Sequence, residues 1–222
     1  MPDKINAQIE AACDQRLKFY ESLGRVEPLV LSYLVNPALM GGPRWPAMRQ
    51  GFLVIQRPNS TLFASHGLSD PFDDGSGECG FGVEMIAEVD EQVPFDQASS
   101  HWGFWLMNKS AQLAASTQPG QLAGLLEELG TISTELEGFT VPPAWLSPQK
   151  RAGVIFGVPA PDIPKTFKLP LGAVRLVTVK LLATSELALV LREGEKARAK
   201  LNDAFVANKS AHISSLKRKP VV

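Results

Sequence analysis

Residues Ser65–Val89 read SHGLSDPFDDGSGECGFGVEMIAEV, and the fold turns on the residues that come after their glycines. Gly75, Gly77 and Gly80 spell G-x-G-x-x-G. That pattern holds a dinucleotide when a helix comes next, because the helix N-terminus supplies the amide donors. Here the next residues, FGVEMIAEV, alternate. Phe81, Val83, Met85, Ala87 and Val89 share one face; Glu84 and Glu88 share the other with Gly82 and Ile86. A period of two predicts a half-buried strand, so the fingerprint lacks its helix. A calcium loop counted from Asp70 would put Phe72 and Phe81 at its third and twelfth positions, where oxygen ligands belong. A nucleophile elbow at Ser69 would need glycine where Pro71 stands. The stretch reads instead as an acidic loop between two strands, with Gly80 and Gly82 as backbone devices.

Working outward, FLVIQRPNSTLFASHG (Phe52–Gly67) predicts a hairpin around RPNS. PLVLSYL (Pro28–Leu34), AGVIFGV (Ala152–Val158) and AVRLVTVKLL (Ala173–Leu182) read as further strands. Ile5, Ile9, Cys13, Leu17 and Tyr20 recur at helical spacing, so Asp3–Leu23 reads as a helix ended by Gly24. Trp102, Trp105, Leu106, Lys109 and Leu113 place another over Asp96–Ser116, with its aromatics in the core. Leu122, Leu125, Leu126 and Leu129 give a short third. ATSELALVLREGEKARAKLNDAFV is helical, capped by Thr184 or Ser185 and divided at Gly194. The sum is an α/β (α+β) domain, a mixed, mainly antiparallel sheet covered by helices. Residues 1–222 read as one domain, with 1–50 a helix and loop packed on it.

Chemistry is sparse. The three histidines (His66, His101, His212) form no H-x-x-x-H, and Cys13 and Cys79 are the only cysteines, read as free thiols of a cytoplasmic protein. No cofactor, metal or membrane span is expected. The enzyme alternative is a serine hydrolase using Ser69 with His66 or His101. Charge is uneven: Pro58–Asn108 holds nine acids and no Lys or Arg, against 22 bases and 14 acids elsewhere. The two parts either neutralise each other in the fold or leave an acidic face for a basic partner. The bases are scattered and not interleaved with aromatics, which argues against nucleic acid.

The order Gly67-Leu68-Ser69-Asp70, acidic loop, Gly80-Phe81-Gly82-x-Glu84-Met85 resembles the Suppressor of fused domain. Thr184, Glu186 and Leu187, the tail ISSLKRKPVV and the Trp-containing WGFWLMNKSAQLA are similar to later parts of that family, so the resemblance spans roughly residues 50 to 222. It implies a single α/β lobe and a non-enzymatic, protein-binding role. Animal members hold a transcription-factor peptide between two lobes, by strand addition at exposed sheet edges; this chain has length for one. Bacterial members of this size resemble immunity proteins that neutralise toxins, and a basic toxin domain would suit the acidic segment. An intracellular peptide-binding scaffold is the other binding alternative. The residues expected to face a partner are Asp70, Phe72, Asp73, Asp74 and Glu78. Asp70 has a second reading as the cap of the turn before Pro71.

Overall fold

The computed structural model describes residues 2–73, 78–208 and 211–222. Its centre is the expected hairpin: β3 (Gly51–Arg57) and β4 (Ser60–His66) pair from Gly51↔His66 to Arg57↔Ser60, leaving Pro58 and Asn59 as a two-residue turn. The alternating run forms β5 (Val83–Val89), antiparallel to β4. β5 then lies parallel to β9 (Gly172–Leu181), and the sheet continues through β7 (Ala152–Phe156) to β6 (Ile132–Leu136). Two-residue strands β1 (Arg25–Val26) and β2 (Leu31–Ser32) flank β3, and β8 (Thr166–Leu169) flanks β9. The nine-stranded sheet is mixed and mainly antiparallel, as the sequence indicates.

Helices cover both faces. On one, α3 (Trp102–Ala115) and α4 (Gln121–Leu129) bury Leu106, Met107, Ala111 and Leu126 against Phe63, Met85, Val177 and Phe156. On the other, α1 (Pro2–Glu21) lays Ala12 and Tyr20 on Leu53, Ile55, Leu62 and Ile86. Beside α1, α5 (Thr184–Glu193) and α6 (Glu195–Ala207), divided at Gly194, cover Ile155 and Leu182.

This two-sided cover corrects one expectation. β5 is buried at all seven positions, so Glu84 and Glu88 face protein and not water. Three smaller expectations also shift. The helix expected over Asp96–Ser116 breaks into α2 (Phe95–Ala98) and α3, because His101 Nδ1 accepts the Gly103 amide and caps α3. The N-cap of α5 is Ala183; Glu186 reaches back to its amide at 2.8 Å. The strand expected over Pro28–Leu34 narrows to β2.

β5 and β9 pair only from Val83↔Arg175 to Ile86↔Thr178. Beyond that point a third segment joins them. Ser214 donates its amide to Glu88 O (2.8 Å), accepts from Asp90 N (3.2 Å), and its hydroxyl accepts from Leu181 N (3.0 Å). The segment is tied down further along: Arg218 forms an ion pair with buried Glu186, and its guanidinium lies 5.1 Å from the Trp145 and Phe205 rings. Two pieces of sequence with family resemblance, Glu186 and the Lys-Arg tail, thus meet.

Candidate protein-interaction surface

The opening stretch is organised from below by Glu84. Its Oε1 accepts from the amides of Gly67 (3.2 Å) and Ser69 (3.0 Å) and from the Ser69 hydroxyl (2.6 Å), and its Oε2 from the Ser65 hydroxyl. Facing it is Arg16 of α1, fully buried. Arg16 donates to His66 Nδ1 (3.0 Å), Ser69 Oγ (2.9 Å) and Asp70 Oδ1 (2.6 Å), with Glu84 Oε1 3.4 Å away. Burial works against the Arg16 charge, but Glu84 and Asp70 prevail and hold it above the ordinary arginine value. Burial raises the Glu84 carboxyl, with Arg16, Ser65 and Ser69 opposing the rise. Sequence reading missed Arg16 because a charged residue is scored as solvent-facing. Its signal was position: Arg16 shares a helix face with Ile9, Ala12 and Tyr20.

The expected partner-facing residues therefore separate. Asp70 is corrected: it is fully buried, with Oδ1 paired to Arg16, so its side chain is not on the surface. Phe72 is half-buried, with its ring edge-on to Phe81 at 5.8 Å. Asp73 is exposed and paired with Arg44; Glu78 is exposed. Asp74, with Gly75 and Gly77, lies outside the described residues. Of the nine acids in the base-free segment, Asp70, Glu84 and Glu88 are internal. Glu88 meets Arg57 (2.8 Å), His212 (2.6 Å) and Ser60. Burial opposes its charge, yet the bonds from His212 and Ser60 hold its carboxyl below the ordinary value. Arg16 and Arg57 come from outside the segment, so part of its negative charge is paired within the fold.

The hydrolase geometry does not assemble. Ser69 Oγ lies between Arg16 and Glu84, and neither His66 nor His101 hydrogen-bonds to it. His101 is instead the cap of α3, with Glu91 3.3 Å away. Among the described residues, no group of three or more His, Cys, Asp or Glu is placed to hold a metal ion. No helix among them is long and apolar enough to cross a membrane.

What sequence reading left out is an apolar patch. Among the described residues twelve large apolar side chains are exposed, and six of them, Leu29, Val30, Leu34, Val35, Leu39 and Met40, lie within a stretch of twelve residues. The segment is pinned to the fold. Leu31 and Tyr33 pack inward on the core, and Tyr33 Oη donates to Asn108 (2.7 Å). Asn36 caps the 3-10 turn Pro37–Met40 and donates to Met48 O (2.7 Å). Four residues after Met40, Arg44 pairs with Asp73 of the acidic loop. Beside it opens a cavity of about 510 Å3, lined by Val30, Tyr33, Leu34, Met48, Cys13 and His66 among others. The signal was an apolar run, LVLSYLVNPALM, longer than a two-residue strand can bury.

Among solved structures, Drosophila Suppressor of fused superposes on this chain with a TM-score of 0.57 at 13% identity, over 96% of this chain and 51% of that one. A chain in the crystal structure of the Sufu–Fu complex matches with a TM-score of 0.54 at 14% identity, over 96% of this chain and 92% of that one. The fold is that of Suppressor of fused, and the chain spans about half the length of the Drosophila protein. No protein-family model matches the sequence, and no curated protein does.

Proposed function

We propose that this chain is a non-enzymatic protein-binding module, acting as one domain over residues 1–222, which neutralises a toxin by covering it. The observation that carries the binding role is the pinned, exposed apolar patch at residues 29–40. Large apolar side chains gathered on a surface mark interaction sites. An apolar stretch followed by Arg44, which pairs with Asp73 of the acidic loop that also carries Phe72 and Glu78, supplies both the apolar and the polar parts of a protein interface. Asp70 supports that loop from inside. The fold adds to the reading, since one structure that shares it was solved as the Sufu–Fu complex. Occlusion of ~800 Å2 on each partner is the ordinary size of a stable contact. A basic toxin domain suits the acid that remains exposed.

A photo-crosslinking residue at Leu34 tests the surface, with Leu191, an exposed apolar position on α5, as the control. The partner is expected to crosslink at 34 and not at 191, and Leu34→Asp with Met40→Asp is expected to abolish its capture. Undiminished capture by that double variant would overturn the assignment. For the toxin, the chain is co-produced with a toxin encoded beside it. Protection by the wild type and none by the double variant supports immunity; no protection by the wild type ends the immunity reading and leaves the binding role standing.

A further inference from the structure

Three side chains from separate elements meet at the cavity beside β2: Cys13 of α1, His66 of β4, and Arg49 just before β3. Cys13 Sγ lies 3.2 Å from His66 Nε2 and 3.0 Å from Arg49 Nη2. The direction of the first contact is settled by Arg16. Its Nε–H donates to His66 Nδ1 at 3.0 Å, so that nitrogen carries no proton. Burial, with the Arg16 and Arg49 charges beside it, lowers His66 to about 3, and the ring is neutral. A neutral ring that accepts at Nδ1 carries its proton at Nε2, and donates there. The sulfur thus faces two donors, one of them cationic. A second observation lies behind them. Asp70 is fully buried, and its Oδ2 accepts no hydrogen bond among the described residues and faces Arg49 Nε at 4.0 Å. The carboxylate holds toward the sulfur a guanidinium that is otherwise half in solvent.

We propose that Cys13 is a modification site, a thiol that reacts with peroxides and is held for that reaction by His66 and Arg49. The thiol gives its proton to solvent, and the sulfur attacks one peroxide oxygen. The S–O bond forms as the O–O bond breaks, the sulfur is oxidised to a sulfenic acid, and the peroxide is reduced. The second oxygen leaves as hydroxide beside the Arg49 cation, which stabilises its charge, and takes up the proton that the thiol released to solvent, giving water. His66 cannot act as a general base here, since Arg16 occupies its only free lone pair. The cluster is therefore not a cysteine-histidine acyl-transfer pair. The cavity of about 510 Å3 gives a peroxide room to reach the sulfur.

Cys79, also half-buried, is the internal control. The intact protein is treated with hydrogen peroxide and dimedone, and adducts are quantified at each cysteine by peptide mass spectrometry. Cys13 is expected to label on the order of tenfold faster than Cys79. Arg49→Gln is expected to remove most of that advantage while leaving Cys79 unchanged. Equal labelling of the two cysteines in the wild type overturns the proposal, as does a Cys13 rate unaffected by Arg49→Gln.

Discussion

Arg16 joins α1 to the sheet by giving hydrogen bonds to His66, Ser69 and Asp70 at once. Removing one member of a buried charge set leaves the others unpaired in a poor solvent. Arg16→Met is therefore expected to cost about 3–5 kcal/mol of stability, read from the urea midpoint. A loss within about 0.5 kcal/mol would show that the network carries no such load. Lys180 is the opposite case, a buried cation without a carboxylate in contact among the described residues. Its ammonium donates to Ile213 O and lies 4.6 Å from the centre of the Phe205 ring. Burial, then the Arg218 charge, lowers it to about 7. The unfolded chain keeps that proton up to the ordinary lysine value of 10.5. Between the two values the unfolded state binds more protons, so this group makes stability rise with pH. Lys180→Met is expected to flatten the rise between pH of about 7 and 9 relative to wild type. Parallel curves for the two proteins would refute it.

At the scale of elements, the glycines after the acidic loop separate two kinds of constraint. Gly80 (φ 47°) and Gly82 (φ 70°) both occupy the left-handed region. A Cβ at Gly80 would meet Leu68 O at 2.3 Å and Asp70 O at 2.6 Å, whereas one at Gly82 meets nothing within 4 Å. Gly82→Ala is expected to cost about 1–2 kcal/mol, the conformational term alone. Gly80→Ala should cost clearly more, because backbone has to move; equal thermal shifts for the two would contradict the geometry. The hairpin, β5, α1 and the division at Gly194 were legible because their apolar periods are unambiguous. β6 was not, since Ile132–Leu136 reads ISTEL, which is polar in the middle, and β8 has only four residues. The second face of β5 was misread for another reason. Alternation reports which residues share a face, and it cannot report that an arginine from α1 and a histidine from the tail will meet the glutamates there. The motif that carried the family resemblance is thus an internal polar knot, while the apolar patch sits in a segment whose pattern resembled an ordinary strand.

At the scale of the molecule, folding and binding are assigned to different residues. Leu34→Asp and Met40→Asp change exposed positions, so the unfolding midpoint should hold within about 0.5 kcal/mol while partner capture is lost. Arg16→Met should behave in the opposite sense: captured partner in proportion to the fraction that stays folded. A double variant that loses stability in step with capture would mean that the patch is part of the core. The segment around Ser214 bears on how the molecule comes to exist at all. β5 and β9 leave the ribosome well before the serine that bridges their far ends. Until it emerges, the nascent chain carries an unfilled slot between two apolar strands, of the kind that chaperones cover and stray strands invade. The order of synthesis places this closure after both strands have been made, and a chain truncated just upstream of Ser214 would keep β5 and β9 with the join between their far ends still open.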